Sequence, residues 1–495
     1  MLILDHPSLD PFEPLVGDLF DYAFGDALRG LASAGIQSGD EWHTQAARIF
    51  KAACLPGFKR AQDAVGARVL DLERRIVSLK KQEAKERAKR NASASNQLKE
   101  LQNVLQNRQL VLRRLMDGML WVLIWPHRWV LRRLRLEGGI KRIDPIETEP
   151  LLESIAREHS KPDETFFLIC DLTTVAQLGD LIIAQWNPDR NAMKIVVAEL
   201  KVGRKNVLLS KRLHNPEAPD VDVAISKICQ ELGSNAAQQA ARIARQERRL
   251  KDFIHVIATD EGVNPMSGQR FRMTRGTVSK DYRDQIRALI ARAKSDGSSG
   301  LTLDGCLHLL AVVADNRTSS DGGLKVAHAF YHMRCRDFCK MGGPESSKEE
   351  EVAAIINAPK AVNLLDFGMR NSLALPPLLW YPRDVMLDVL MGRIKVFAQF
   401  DHEKFFELAS RSGLKMGFVR GKEAARIKTA KLAGPLPEYR DIRYVRGQND
   451  QGKAMVFGAR LFARVYLELI RPRDLLVMAR ELIEESQKEV PHRRG

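Results

Sequence analysis

Two short apolar stretches decide the fold, Gly179-Asp180-Leu181-Ile182-Ile183 and Val196-Val197-Ala198-Glu199-Leu200-Lys201. Both are rich in β-branched residues, and Asn187-Pro188-Asp189-Arg190-Asn191 between them has the composition of a turn. The pattern therefore predicts a β-hairpin. When the chain is folded about the middle of this turn, Asp180 lies directly opposite Glu199.

Two carboxylates and an amine are expected to converge at one end of this hairpin. Opposed residues share a face of the sheet, with Cβ atoms about 5 Å apart. Lys201 lies two residues beyond Glu199 and projects from that same face. Two acids side by side in apolar surroundings are costly unless a cation neutralises them, and Mg²⁺ with oxygen ligands is the simplest solution. The alternative is a buried hairpin that ends in a salt bridge between Lys201 and either acid.

The order of these residues resembles that of the PD-(D/E)XK nuclease superfamily. Asp180 is separated by eighteen residues from Glu199-Leu200-Lys201. The run Leu172–Leu178 is similar to the segment that often precedes the Asp in bacterial members. The run Gln238–Arg242 resembles the helix with Gln and Arg that usually follows the Lys. The resemblance covers about Glu149 to Thr259.

The resemblance implies a Mg²⁺-dependent or Mn²⁺-dependent endonuclease with a restriction-endonuclease-like α/β core sheet flanked by helices. The family's metal and water-positioning roles fall on four positions here: Asp180, Glu199 and the Leu200 carbonyl for the metal, and Lys201 for the attacking water. Gln239 and Arg242 are expected to hold substrate or a supporting network. The family usually offers a third acid from a preceding helix, and Glu153 is favoured over Glu158 for this role.

Two features of the sequence bear on the specificity of this motif. The family's literal Pro-Asp is replaced here by Gly179-Asp180. A Glu-x-Lys triplet has little specificity, because Glu83-Ala84-Lys85 also has it within a highly charged helical run. Strand context and an Asp at matching register distinguish Glu199-Leu200-Lys201 from that triplet.

Charge and composition favour a polyanionic partner. The 495 residues carry a net charge of +16, with a pI of about 9.6. Nucleic acid or an anionic membrane attracts such a chain. We expect a cytoplasmic protein, because six scattered cysteines are typical of reduced thiols. We expect no membrane partner, because the longest apolar run, Met119–Pro126, is too short to span a bilayer.

Nucleic-acid contacts are expected mainly beside the proposed metal. A basic loop is expected after Lys201, and the long polar helix follows it in the chain. Together they supply five basic side chains: Arg204, Lys205, Lys211 and Arg212 from the loop, and Arg242 from the helix. DNA is expected rather than RNA by family habit, and the resemblance suggests a role in bacterial defence against foreign DNA. The competing hypothesis is a non-catalytic nucleic-acid-binding or scaffolding protein whose nuclease-like hairpin is inert.

The pattern along the chain predicts four segments. They are an N-terminal helical segment (1–60), a coiled-coil helical hairpin with a Trp/Arg-rich connector (61–144), the nuclease core (145–265) and a C-terminal mixed α/β accessory domain (266–495). Two heptad stripes flank the weak helix formers Asn91–Asn96, which favours an antiparallel hairpin over one long dimeric coiled coil. Such a hairpin offers a surface for a homodimer or a partner protein.

Within the core, the expected elements alternate. A helix is expected to start around Thr148–Glu153, with a strand at Thr165–Cys170 before the hairpin. A long polar helix, about Ser234–Lys251, and a strand, Phe253–Ala258, are expected after it. This order predicts an α/β sandwich.

Overall fold

The structure is a computed structural model, and the chain divides into two compact units. One is Ile3–Met273, and the other is Thr274–Gly495 with Met1–Leu2. The residues described are 3–33, 45–124, 131–134, 142–161, 165–177, 179–187, 189, 192–198, 204–213, 220–259, 261–263, 270–272, 281–313, 362–371, 374–379, 383–419, 444–452, 454–458 and 460–485. The predicted division into four segments stays a prediction. None of the described helices has an apolar stretch of membrane-spanning length.

The N-terminal half of the first unit is helical. Its helices are α1 (Glu13–Phe20), α2 (Asp26–Ser33), α3 (Gln45–Ala88), α4 (Ala92–Ile124), α5 (Leu131–Leu134) and α6 (Pro145–His159). A single π-helical turn, Asp21–Gly25, joins α1 to α2. Helix α6 begins earlier than expected, because Asp144 caps it by accepting a hydrogen bond from the Ile146 amide at 2.9 Å and Pro145 is its first residue.

Helices α3 and α4 form the predicted antiparallel hairpin. Two hydrogen bonds at 3.0 Å join them, from Ser95 to Glu83 and from Gln109 to Glu73, so the residue numbers rise on one helix as they fall on the other. The break between the two helices covers only the residues from Lys89 to Asn91, rather than the whole predicted turn Asn91–Asn96. Asn91 caps α4 by accepting from the Ala94 amide, so the small polar residues after it are helical.

Three antiparallel strands form the sheet that carries the candidate site, in the order β1 (Thr165–Ile169), β2 (Leu181–Asn187) and β3 (Ala192–Ala198). Leu181 faces Ala198, and Asn187 faces Ala192. This register confirms the hairpin and its alignment from Leu181 and Ala198 to Asn187 and Ala192, whereas the pairing of Asp180 with Glu199 stays a prediction. Helix α3 packs on β1 and β3, and α6 packs on α3 and β1.

The free edge of β1 is closed by side chains. The amide group of Gln62 on α3 donates to the Phe167 carbonyl at 2.8 Å and accepts from the Ile169 amide at 3.0 Å. His159 on α6 accepts from the Phe167 amide at 3.2 Å. These bonds satisfy backbone groups that would otherwise recruit another strand.

A helical cluster follows the hairpin, formed by α7 (Arg204–Leu213), α8 (Val221–Leu232) and α9 (Ser234–Thr259), with a small sheet of β4 (Glu261–Val263) and β5 (Arg270–Arg272) after it. Two predictions are wrong here. The basic loop is helix α7, because Lys, Arg and Leu are good helix formers. The strand predicted at Phe253–Ala258 is the last part of α9, since neither Gly nor Pro interrupts the helix before Thr259.

Within its described residues the second unit is mixed α/β, with two antiparallel sheets. Its helices are α10 (Arg283–Asp296), α11 (Leu364–Arg370), α12 (Arg383–Leu390), α13 (His402–Arg411), α14 (Arg460–Leu467) and α15 (Pro472–Glu485). Its strands are β6 (Ser298–Leu303), β7 (Leu307–Val313), β8 (Val362–Asn363), β9 (Ile394–Phe400), β10 (Leu414–Phe418), β11 (Tyr444–Asn449) and β12 (Ala454–Gly458). The sheet orders are β6-β7-β9-β8 and β10-β11-β12. Its core includes the fully buried rings of Tyr282, Phe400, Phe405 and Phe462.

Candidate functional site

Asp180 is fixed between two strands through its backbone. Its amide donates to the Ala198 carbonyl at 2.9 Å, and its carbonyl accepts from the Cys170 amide at 2.9 Å. The residue therefore lies just before β2, bonded to the last residue of β3 on one side and to the residue that follows β1 on the other. It is half-buried. The metal-binding role that the sequence analysis assigns to its carboxylate stays a prediction.

The backbone angle at position 179 explains why the chain has Gly rather than Pro before Asp180. Its φ of +79° lies in the left-handed region, whereas the proline ring fixes φ near −65°. A Cβ atom at this position would also lie 2.6 Å from Val197 Cγ1 and 3.0 Å from the Ala198 carbonyl oxygen. Only glycine combines this backbone angle with so close an approach to β3.

The other three residues of the predicted centre, Glu199, Leu200 and Lys201, lie outside the described residues. The described pairing ends at Leu181 and Ala198, one step before the predicted pairing of Asp180 with Glu199. Within the part of the chain that the structure describes, no group of three or more His, Cys, Asp or Glu side chains is arranged to hold a metal ion. The metal centre thus stays a prediction.

A buried ionic cluster on α4 holds the loop that leads to Asp180. The carboxylate of Asp117 accepts from the Arg114 guanidinium at 2.6 Å and from the Thr174 amide at 2.7 Å. The Thr174 hydroxyl donates to it as well. The side chains of Arg114 and Asp117 are fully buried, so burial lowers the pKa of Arg114 while Asp117 opposes that shift. Removal of one partner leaves an uncompensated charge in the interior.

A second arginine on α4 reaches the same loop. Arg113 donates to the Thr173 carbonyl at 2.5 Å. The Thr173 hydroxyl donates to the Cys170 carbonyl at 2.8 Å and accepts from the Ala176 amide at 2.9 Å. The loop between β1 and β2 is therefore positioned by polar groups that the sequence analysis did not single out. Their signal was three charged residues, Arg113, Arg114 and Asp117, within the apolar run of α4.

The candidate third acid lies on α6. Glu153 is exposed, and among the described residues its carboxylate forms no ion pair. Its backbone carbonyl accepts from Arg157 at 3.3 Å, a contact within the helix. Glu158 pairs with Lys161 at 2.6 Å. A link between Glu153 and the metal thus stays a prediction.

The remaining predicted site residues lie on the α7–α9 cluster. Its main packing joins α7 and α8 to α9, and α9 to β4, around a buried apolar core of its own. Gln239 on α9 is half-buried, and Lys211 on α7 is exposed. Arg212 is ion-paired with Glu231 on α8, which commits its charge within the protein. The side chains of the other three, Arg204, Lys205 and Arg242, lie outside the described residues.

Comparison of the chain with protein-family models, with curated proteins and with solved structures found no match.

Proposed function

We propose that the chain is a metal-dependent nuclease of the PD-(D/E)XK type, with the centre at the Asp180 end of the hairpin. The observation that supports it is the described register of β2 and β3, which brings Asp180 to the end of the ladder beside Ala198. Asp180 is held there by two backbone hydrogen bonds. One carboxylate at a strand end, with a second expected opposite, is an oxygen donor set suited to Mg²⁺ or Mn²⁺.

In this proposal the chain's own residues divide the work. Asp180 and Glu199 supply negative oxygens for the ion, and the loop held by Asp117 keeps Asp180 in place. Lys201 orients the attacking water and offsets negative charge on the phosphate. When bound, the metal polarises the phosphate and lowers the pKa of its water. DNA as substrate, and a role in defence, rest on the resemblance alone.

The second candidate is a nucleic-acid-binding or scaffolding protein without activity. It is favoured by the extent of α9, which occupies the segment where a strand of the α/β sandwich was expected. The sheet that carries Asp180 has three strands within the described part of the chain. The restriction-endonuclease-like fold of the core is therefore proposed only as part of the nuclease candidate.

The test is cleavage of plasmid, linear duplex, single-stranded DNA and RNA, each with Mg²⁺, Mn²⁺ or EDTA. We expect cleavage with metal only. Asp180→Asn, Glu199→Gln and Lys201→Gln are each expected to lower the rate by about 100-fold or more, because several kcal/mol of charge stabilisation depend on the centre. The matched control is Asp189→Asn, an exposed acid in the turn of the same hairpin, which should cleave like wild type.

Two outcomes would contradict the proposal. Wild-type rates in any of the three folded site variants would remove that residue from the centre. If the protein binds nucleic acid but no metal supports cleavage, the non-catalytic candidate is correct.

A further inference from the structure

A groove lined by both apolar and polar side chains lies between α8 and α9. Its volume is about 820 Å³. The α9 wall includes side chains at intervals of three, four and three residues, so they follow one face of the helix: Gln238, Ala241, Arg245 and Arg248. Val221, Asp222 and Ile225 of α8 form the opposite wall. Residues Asn235, Gln239 and Ala244 complete the lining.

The charges of the groove favour an anion. Arg245 and Arg248 are exposed, and within the described residues neither guanidinium forms an ion pair. Arg212 of the same helical cluster differs, since Glu231 neutralises it. Asp222 is the one acid among the ten lining residues, so the arginines leave an excess of positive charge. Guanidinium groups bind phosphate oxygens in a bidentate geometry.

We propose that this groove binds the phosphodiester backbone of a nucleic-acid strand, with Arg245 and Arg248 on phosphates and Gln238 as a hydrogen-bond donor. This inference rests on the proposed function and adds a substrate-binding surface outside the metal centre. The stripe from Gln238 to Arg248 is about 15 Å long at 1.5 Å per residue, long enough to contact more than one phosphate of an extended strand.

The groove reads the backbone rather than the bases. None of its ten lining residues is aromatic, so it offers no platform on which bases stack. Contacts to phosphate carry no sequence information. Binding through this groove is therefore expected to be independent of sequence and strongly dependent on salt.

The test measures binding without chemistry. Full-length protein in EDTA is titrated into fluorescein-labelled DNA of about 20 nucleotides, single-stranded or duplex, and anisotropy is read at several salt concentrations. Arg245→Gln with Arg248→Gln is expected to weaken binding to both probes about tenfold or more at low salt. The salt slope for the single strand should fall by about 1.4, since each phosphate contact contributes about 0.7.

The control variant removes the same charge elsewhere. Arg75→Gln with Lys227→Gln neutralises two exposed side chains of α3 and α8 that do not line the groove. It should change binding much less than the groove variant. Asp222→Asn removes the acid of the groove and is expected to strengthen binding.

The outcomes separate this inference from the nuclease proposal. Equal binding by the groove variant and wild type, or equal losses in both charge variants, would overturn the groove even if the protein cleaves DNA with Mg²⁺. Loss of binding in the groove variant alone supports the groove even if no metal supports cleavage.

Discussion

Gly179 carries two separate constraints, an unusual backbone angle and a close neighbour. Gly233, at the end of α8, has a similar φ of +86° but has nothing within 4 Å of the position of a Cβ atom. The two glycines therefore allow the cost of the angle to be separated from the cost of the contact. At Gly179 the nearest neighbours include the Ala198 carbonyl, a backbone group that cannot rotate away.

We predict that Gly179→Ala destabilises the protein more than Gly233→Ala does. Both pay about 1–2 kcal/mol for a left-handed alanine. Gly179→Ala also forces β2 and β3 apart, which adds about 1–3 kcal/mol by the usual cost of overpacking. Urea unfolding measures the difference, and metal-dependent cleavage should fall with Gly179→Ala only. Equal losses of stability in the two variants would show that β3 adapts to the extra methyl group.

At the scale of elements, the connection between α4 and the loop after β1 is polar and fully buried. Thr174 bonds to Asp117 through its amide and its hydroxyl. Thr148 on α6 is equally buried, but its hydroxyl has no partner within the described residues. The two threonines form a matched pair, because the same change to valine removes a hydrogen bond at only one of them.

We predict that Thr174→Val lowers the free energy of unfolding by about 1–3 kcal/mol, since a buried carboxylate loses a donor. Thr148→Val should be neutral or slightly stabilising, because it removes a buried hydroxyl that has no partner. Chemical denaturation of the two variants gives the comparison. A stable Thr174→Val protein would mean that the Arg114–Asp117 pair alone holds the loop.

The sequence predicted best those elements that are determined by residues close together in the chain. The β2–β3 hairpin was predicted to the correct register, because one turn and two β-branched arms determine it within twenty residues. The α3–α4 hairpin was predicted too, although the break was drawn too wide because the cap at Asn91 restores helix at once. The strand prediction for Phe253–Ala258 was wrong because a short apolar run is compatible with both a strand and a helix.

The tertiary contacts of the candidate site could not be predicted in this way. Asp117 lies 57 residues from Thr174, and Gln62 lies 107 residues from Ile169. No local period encodes such pairs. The charged residues within the apolar run of α4 were visible in the sequence, but their partners became known only from the packing of α4 beside the loop.

At the scale of the whole molecule, each of the two units has its own core, so each can respond differently to pH. The second unit has a histidine among aromatic rings at the start of α13. The ring of His402 lies 4.9 Å from that of Phe462 and 5.0 Å from that of Phe400, centroid to centroid. Burial lowers the pKa of His402 to about 4, although Asp401 opposes the shift.

The sign of the pH effect follows from the two states of His402. In the unfolded chain its pKa is about 6.5, so below that pH the unfolded state binds a proton that the folded state refuses. The stability that depends on neutral His402 is therefore complete above pH 6.5 and is lost progressively between pH 6.5 and 4. At pH 5 the loss is on the order of 2 kcal/mol, from about 1.36 kcal/mol per pKa unit.

We predict that acidification from pH 7.5 to 5 loosens the second unit through this residue, and that His402→Phe removes that part of the response. Hydrogen exchange of the full-length protein, corrected for the intrinsic pH dependence of exchange, reports each unit by its own peptides. In wild type, peptides from β9 and α13 should lose protection at pH 5. His402→Phe should retain it there, whereas His255→Phe, at an exposed site on α9, should behave like wild type. If β9 and α13 lose the same protection in His402→Phe, other groups of the second unit cause its acid sensitivity, and His402 is a neutral part of the aromatic core at both pH values.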